Sequence, residues 1–422
     1  MLQRLSKLKT ALRNKQFINN SFLYLLLAAI VWVAYFHHSA KFGLYYEDYS
    51  RIPIAMEWTW SQLWNYLAHL PEWLIAMKYE GRPLHPSFIY FFSRLGEAIA
   101  GLQGIYVISY GVTTVNTFLF YSLINRLSAY PFFAFTSALA FALFPTNTNH
   151  AFLTSTLGVL PALTLILISF HLHLSKTKSS RITAYFLAFC SLFCYEKFLL
   201  VFFTAPLLKP KWDARVRQET IRHSLVLLLF IAIAVVARKL NGEGRVNQLE
   251  LVALTQPLIS LVIGPLATVF TFILRPIQSL ISFQQDWVIP SLICFGLIAY
   301  THFQLTTSRI EKNLSSFDND FSSEEKSFFS KEHFFRDLAQ YAIVGSLMLI
   351  LAYPFTLTDS AFYISGRRSH VHVAAVVGAS ILCGCACLLV QFILRSRSRP
   401  AWLASSVLAA FFTLLIAFGF TV

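Results

Sequence analysis

Long apolar runs recur along the whole chain, and they restrict its fold more than any other feature of the sequence. Stretches such as 22–36, 152–174 and 401–420 approach or reach the length of about 20 residues with which an α-helix crosses a bilayer. Charged residues make up only 13% of the 422 positions, against about a quarter in soluble domains. A membrane β-barrel would instead show short segments of alternating polarity. The sequence therefore predicts an all-α polytopic membrane protein, with one integral-membrane domain over residues 1–422 and no large soluble domain.

Positive charge is distributed in a way that predicts the two sides of the membrane. The net charge is +14, but Lys and Arg collect in the short segments between apolar runs, which is the positive-inside pattern. No separate basic domain or nucleic-acid motif accompanies this charge, so it does not indicate a nucleic-acid partner. Five basic residues and no acidic residue precede residue 22. This predicts a cytoplasmic amino terminus for a multi-pass protein of the cytoplasmic (inner) membrane.

Threading the basic segments through the membrane gives about eleven crossings. Residues 37–103 form a long outside loop in this scheme, and its tryptophans predict helices that lie in the membrane interface. Residues 307–338, which are rich in serine and in charges of both signs, are predicted to form a flexible cytoplasmic loop. The apolar stretch 257–274 is interpreted as re-entrant or interfacial rather than as a crossing.

The apolar stretch 182–208 contains a conflict that predicts a break in its middle. Basic residues flank both of its ends, and a single crossing cannot leave both groups on the cytoplasmic side. Ionised groups at the centre of a span are costly unless they reach a polar cavity. We therefore predict two short or tilted helices, with Glu196 and Lys197 at an outward-facing break between them.

On this threading, most of the unusual polar residues lie on the outer face of the membrane. The outside positions of Arg367 and Arg368 oppose the positive-inside trend and so require an explanation. Guanidinium groups match phosphate oxygens, and a carboxylate beside them can act as a general base on a hydroxyl group. These residues suggest a site for an anionic, lipid-linked substrate. The candidates for that site are Glu47, Asp48, Arg51, Arg82, His85, His150, Glu196, Lys197, Arg367, Arg368 and His370.

Four short motifs resemble those of the GT-C superfamily of integral-membrane glycosyltransferases. They are EDYSR at 47–51, GRPLHP at 81–86, YEK at 195–197 and GRRSH at 366–370. The sequence is most similar to the bacterial O-antigen glucosyltransferase-like and related branches, which depend on polyprenyl-phosphate sugars. Two features depart from the pattern. The first motif has Glu-Asp rather than Asp-Asp or Asp-Glu, and no large outside domain follows the last span.

The resemblance implies an inverting transfer of a sugar from a polyprenyl-phosphate donor to a glycan or protein acceptor. Asp48 would deprotonate the acceptor hydroxyl, and Arg367 or Arg368 would hold the leaving phosphate. Glu47 is the alternative base, because only the resemblance, and not the spacing, favours Asp48. Further positive charge near the phosphate would come from Arg82 or Lys197.

Other functions also fit the sequence. An O-antigen polymerase or ligase would use outside arginines and histidines, a transporter would line a path through the membrane with charge, and a non-catalytic assembly subunit would need neither. Glu196 and Lys197 would suit a structural ion pair at a helix break, and His150 would suit an exposed loop. A divalent cation is compatible with the acids and histidines, but their spacing does not require one, so no cofactor is assigned. Membrane lipids are the remaining expected partners.

Overall fold

The computed structural model describes residues 21–69, 81–240, 255–282, 285–315, 323–356, 359–396 and 400–420, and within these ranges the regular structure is helical, with no strand. Helix α1 (21–31) continues as a π-helical turn, Trp32–Phe36. The further helices are α2 (Asp48–Glu57), α3 (Trp60–Ala68), α4 (Leu84–Leu127), α5 (Pro131–Ala142), α6 (Leu153–His173), α7 (Lys178–Leu192), α8 (Lys197–Phe202), α9 (Ala214–Leu240), α10 (Thr255–Ile281), α11 (Val288–Ser315), α12 (Ser323–Leu351), α13 (Val376–Ser396) and α14 (Ala401–Gly419). The predicted all-α class is confirmed.

Nine helices in the described part of the chain are long and apolar enough to cross a membrane, against the roughly eleven crossings that the threading predicts. Three predicted crossings are shorter: α5 has 12 residues, α7 has 15 and α8 has 6. At about 1.5 Å per residue, α5 spans only about 18 Å of a hydrocarbon core about 30 Å thick. Conversely, α10 has 27 residues and is long enough, although the threading does not count it.

Polar contacts distinguish the two ends of the helical bundle. We call the end that contains residues 45–51 and 366–370 the site end. The opposite end is marked by Arg126, which donates hydrogen bonds to the carbonyl oxygens of His171 at 3.1 Å and Leu174 at 2.8 Å. These contacts join the carboxyl-terminal end of α4 to that of α6, so the second half of α4 and α6 run parallel, from the site end to the opposite end. The predicted cytoplasmic amino terminus falls in residues 1–20, outside the described ranges.

The helical structure is interrupted between α7 and α8, at the break that the charge pattern of 182–208 predicts. Arg181, in the first turn of α7, lies 3.6 Å from a carboxylate oxygen of Glu219, and Lys209, after α8, contacts the other oxygen of the same group. The two basic flanks therefore meet at the opposite end, as the charge argument requires. The segment between them is a helical hairpin whose tip reaches the site end.

Helix α4 folds back on itself at Gly101. This residue has a φ of 60°, in the left-handed region that glycine adopts without steric cost. A Cβ on Gly104 would overlap the carbonyl oxygen of Gly96, so the two glycines allow the legs on either side of the break to touch. The first leg, 84–99, packs with α2 and α3 at the site end, and the second leg, 102–127, runs to the opposite end. Short helices thus occupy much of the predicted outside loop.

Helix α10 is attached to segments at the site end along much of its length. Ser260 donates to the carbonyl oxygen of Thr356 at 3.4 Å. About four turns later, Arg275 donates to the carbonyl oxygen of Ile364. Both acceptors belong to the connection between α12 and α13. The side chains of α10 therefore contact the connection at the site end along much of the helix. The re-entrant or interfacial position of 257–274 stays a prediction.

The predicted flexible loop 307–338 is largely helical. Helix α11 continues to Ser315 and α12 begins at Ser323, so that only 316–322 lie outside the described residues. The physical reason is that the glutamates and lysines that make this segment polar are also good helix formers. High polarity therefore does not prevent a helix in this segment, and its cytoplasmic position stays a prediction.

Candidate functional site

A cavity of about 290 Å³ opens at the site end, and we call it the first cavity. Its wall combines the start of α2, the start of α4, the start of α6, the tip of the α7–α8 hairpin and the segment that precedes α13. The structure thereby brings together residues that are as much as 320 positions apart in the sequence. The predicted site residues that line this cavity are Glu47, Arg51, Arg82, His85, Arg367 and His370.

Glu47 and Arg367 form an ion pair at the first cavity. Their side chains are 51% and 49% exposed, so a solute in the cavity can reach both groups. Each follows a residue in the left-handed region of backbone space, Tyr46 with φ 48° and Gly366 with φ 67°. Such a conformation is uncommon and strained for a non-glycine residue such as Tyr46, and strain of this kind is often found at functional sites.

Asp48, in contrast, is fully buried and bonded to backbone groups. Its Oδ1 accepts a hydrogen bond from the amide of Thr154 at 2.8 Å, and its Oδ2 accepts from the amides of Leu153 at 3.1 Å and Tyr45 at 3.3 Å. Leu153 and Thr154 begin α6, where helix geometry leaves amides unpaired and the helix dipole favours a negative charge. Burial raises the pKa of Asp48, and the amide donors oppose this rise. The residue predicted as the general base therefore caps α6 and does not line the first cavity.

Arg82 is fixed in the wall of the first cavity by Glu196. The guanidinium donates two hydrogen bonds to the carboxylate, one of them from Nε at 2.7 Å, and it lies over the Tyr195 ring at 4.8 Å. Arg238, near the end of α9, approaches the same carboxylate at 3.6 Å. Burial alone would raise the pKa of Glu196, but Arg82 and Arg238 hold it well below its usual range. Glu196 thus acts as the charged support of Arg82, whereas the structural alternative drawn from the sequence had grouped it with Lys197.

Two imidazole groups complete the polar lining. His370 Nδ1 lies 2.6 Å from the carbonyl oxygen of Arg367. Because a carbonyl can only accept, Nδ1 carries the proton, and Nε2 of the neutral ring is the acceptor. His85 packs against Gly158 of α6, where a Cβ would overlap the imidazole ring of His85. The absence of a side chain at Gly158 therefore determines where the His85 ring can lie.

Lys197, His150 and Arg368 do not line the first cavity, although the sequence placed them among the substrate contacts. Lys197 is buried and donates to Thr356 Oγ1 at 3.0 Å, and burial lowers its pKa to about 7. His150 is also buried rather than exposed in its loop, and its ring stacks on Tyr35 with centroids 3.7 Å apart. Arg368 is exposed and lies over a tyrosine ring at 4.5 Å.

Sequence reasoning missed most of the aromatic and hydroxyl-bearing part of the site. Arg238 was not among the predicted site residues, and its positive charge on the outer side, against the positive-inside trend, was the available signal for its ion pair with Glu196. Tyr195 stands inside the YEK motif, so its position was known but not its role. A few polar groups among aromatic faces are typical of a small-molecule site. The residues of the lining that were not predicted are Tyr45, Tyr46, Phe152, Thr154, Ser155, Val159 and Tyr195.

In the described ranges, no group of three His, Cys, Asp or Glu side chains converges as it would around a metal ion. No family model matches the sequence, and comparisons with curated proteins and with solved structures also gave no match. The features that indicate a function are therefore the geometry of the first cavity and the short motifs that supply its lining.

Proposed function

We propose that the protein is an inverting glycosyltransferase of the GT-C type, which moves a sugar from a polyprenyl-phosphate donor to a hydroxyl group of a glycan or protein acceptor. The observation that carries this proposal is the pairing of the accessible Glu47 carboxylate with Arg367 in a cavity that also contains Arg51 and Arg82. A general base and several cations in one cavity suit the displacement of a phosphate leaving group. The all-helical membrane architecture suits a donor that carries a lipid.

In the proposed reaction, Glu47 accepts the proton of the acceptor hydroxyl. The hydroxyl oxygen attacks the anomeric carbon from the side opposite the phosphate, and the bond between that carbon and the phosphate oxygen breaks. The bonding electrons leave with the polyprenyl phosphate, and Arg367 stabilises the resulting charge. Because Arg367 pairs with Glu47 across the cavity, a donor phosphate would compete for this guanidinium and release the carboxylate to act as a base.

We assign the base to Glu47 rather than to Asp48, which the family resemblance favoured. Both oxygens of Asp48 already accept hydrogen bonds from backbone amides, and the side chain is inaccessible. A general base must come within hydrogen-bonding distance of the proton that it removes. Glu47 meets this requirement from the wall of the first cavity without any rearrangement of α6.

The experiment that tests this function measures transfer by the purified full chain from labelled polyprenyl-phosphate sugars to a panel of acceptors. We expect Glu47→Gln to lower the turnover rate at least about a hundredfold, the usual contribution of general base catalysis. Asp48→Asn should lower the transfer rate only as far as it lowers the amount of folded protein. The matched control is Glu97→Gln, which changes a carboxylate paired with Arg94 away from the cavity.

Donor consumption by wild type at the rate of a protein-free control, while an active GT-C enzyme turns over in the same assay, would contradict the proposal and favour an assembly subunit. Movement of the intact donor across the membrane of vesicles that contain the protein, without cleavage, would instead favour a transporter. A polymerase or ligase would join glycan chains but would not consume a monosaccharide donor. Each rival function therefore has its own product in the same preparation.

The proposed location is the cytoplasmic membrane, with the first cavity on its outer face. Ser365 is exposed beside the cavity and gives a test of this orientation. A cysteine at this position should react with a membrane-impermeant thiol reagent applied to intact spheroplasts. Protection of that cysteine until the membrane is opened would place the first cavity on the cytoplasmic side.

A further inference from the structure

Asn149, in the loop between α5 and α6, is a buried polar residue that the proposed reaction leaves without a role. Its backbone carbonyl oxygen accepts hydrogen bonds from the amide of Phe152 at 3.1 Å and from Oγ1 of Thr156 at 3.3 Å. Both donors lie at the start of α6. Asn149 is therefore attached to the first turn of a helix of 21 residues, which gives its side chain a rigid base.

The side chain of Asn149 makes a bidentate contact with the backbone of the 366–370 segment. In the orientation that satisfies both ends of the amide, Nδ2 donates to the carbonyl oxygen of Gly366 at 3.2 Å, and Oδ1 accepts from the backbone amide of His370 at 2.9 Å. The hydroxyl group of Ser369 donates to the same Oδ1 at 2.9 Å. One side chain thus holds both ends of the segment.

The position of the 366–370 segment matters because Arg367 reaches Glu47 from within it. Gly366, immediately before the arginine, has a φ of 67°, and glycine has the greatest backbone freedom of any residue. The arginine side chain is itself half exposed, and a long exposed side chain keeps much of its rotamer freedom. Hydrogen bonds to the backbone on both sides of Arg367 therefore restrict the positions that its guanidinium can reach.

The start of α6 holds both partners of the Glu47–Arg367 pair. Two of its backbone amides bind the carboxylate of Asp48, the neighbour of Glu47 in the chain. The side chain of Asn149 binds the backbone on either side of Arg367. Both charged groups are thus attached to one short stretch, 149–154, and the distance between them depends on it.

We propose that Asn149 is a positioning residue that fixes the 366–370 segment and thereby the place of Arg367 in the wall of the first cavity. His370, at the end of the same segment, is held with it. This role rests on the proposed function, in which Arg367 stabilises the leaving phosphate. Asn149 does not occur among the described residues that line the cavity, so it acts through the segment and not on the substrate.

Hydrogen exchange at the backbone amide of His370 tests the bidentate contact without any need for catalysis. Asn149→Leu has a similar volume and no polar atom in its side chain. It should speed exchange at this amide at least about tenfold in the purified full chain, because the amide loses an acceptor. Asn149→Asp keeps an acceptor oxygen and should exchange more slowly there than Asn149→Leu. If Asn149→Leu does not fold, Asn149→Ala removes the same polar atoms without added bulk and should give the same increase.

Thr146→Val is the matched control in the same loop. The hydroxyl oxygen of Thr146 lies 2.6 Å from that of Thr271 in α10, so the substitution removes a buried hydrogen bond that does not reach the 366–370 segment. Thr146→Val should leave exchange at His370 and the transfer rate as in wild type. A loss of protection and of transfer equal to that in Asn149→Leu would show a general loosening of the loop and would overturn the positioning role.

The transfer assay gives the second readout. A displaced guanidinium weakens an interaction that grows as the leaving phosphate takes up charge, so kcat should fall more than KM rises. Asn149→Leu should lower kcat at least about tenfold and change the donor KM by less than about threefold, and Asn149→Asp should recover part of the lost kcat.

Three outcomes separate the possible failures. Exchange at His370 as slow in Asn149→Leu as in wild type overturns the bidentate contact. Faster exchange together with the kcat of wild type overturns the positioning role. Faster exchange in Asn149→Leu, when wild type itself transfers no sugar, would support the contact and contradict only the proposed function.

Discussion

Arg82 and Glu196 are 114 positions apart in the sequence, and two hydrogen bonds join their side chains at the wall of the first cavity. The pair connects the start of α4 to the tip of the α7–α8 hairpin. Arg238 adds a third charge from α9. The contact between these three parts of the bundle thus depends on a single carboxylate. We therefore expect its removal to destabilise the fold.

Glu196→Gln should destabilise the fold by about 3 kcal/mol, because the substitution leaves two partly buried guanidinium groups without a carboxylate. The temperature of unfolding in detergent measures this effect. In the double variant with Arg82→Gln, the loss should be clearly smaller than the sum of the two single losses. Glu97→Gln, at a pair that is more exposed and local in sequence, should change stability by less than about 1 kcal/mol. Equal effects of the Glu196 and Glu97 changes would contradict the structural role of Glu196.

Lys197 should make the stability of the protein depend on pH. Burial lowers its pKa from 10.5 to about 7, beside Glu196 and Arg82. Between these two values the unfolded chain holds a proton that the folded chain does not. Stability should therefore rise with pH across this window, by at most about 1.4 kcal/mol per pH unit, and should level off above the pKa of the unfolded chain.

Unfolding temperatures of wild type and Lys197→Met, compared at about pH 7 and about pH 9, measure the contribution of this lysine. The rise should be larger in wild type. Lys41→Met, which changes an exposed lysine, serves as the control, and its unfolding temperature should rise with pH as much as that of wild type. An identical pH dependence in wild type and in Lys197→Met would show that the amine stays protonated in the fold.

Asp48→Ala should destabilise the start of α6, because it removes the acceptor of the amides of Leu153 and Thr154. We expect a loss of about 2 kcal/mol. Asp48→Asn should cost less, since one oxygen can still accept a hydrogen bond. Hydrogen exchange gives the local readout: the two amides should exchange faster in Asp48→Ala than in wild type. Unchanged exchange at α6 would disagree with the capping role.

Gly104→Ala should destabilise the fold by about 2 kcal/mol, because the added Cβ meets backbone atoms of Gly96 that no rotamer change can move away. Gly111 lies in the same leg of α4, and a Cβ added there would meet open space. Gly111→Ala should therefore leave the unfolding temperature unchanged or raise it, as alanine favours a helix. Equal unfolding temperatures of Gly104→Ala and Gly111→Ala would argue against the close contact of the two legs of α4.

Much of the architecture could be predicted from the sequence because it depends on local properties. The length of an apolar run decides whether a helix can cross a membrane, and this argument gave the all-helical class. The basic flanks of 182–208 likewise predicted the hairpin, since Arg181 and Lys209 must share a side. The number of crossings stays a prediction, because run length alone does not reveal that α5 has only 12 helical residues.

The candidate site was only partly predictable. The sequence drew attention to polar residues that interrupt apolar runs, and six of them line one cavity. It could not reveal that Lys197 and His150 are buried among other helices, because burial depends on neighbours that are distant in the chain. It also could not reveal that Arg275 is buried against the ring of Phe418, because α10 and α14 meet only in the folded chain.

Glu47 and Asp48 show most clearly what the sequence determines and what only the tertiary structure decides. The sequence by itself determined that two adjacent carboxylates follow the first apolar run, and it could not distinguish their roles. Tertiary structure decided the matter, because the start of α6, 105 positions later, brings two unpaired amides to Asp48. A buried carboxylate that satisfies these donors is held in place, whereas its neighbour is turned towards the cavity and Arg367. Which of two adjacent acids is free to react thus depends on the packing of a helix that neither acid belongs to.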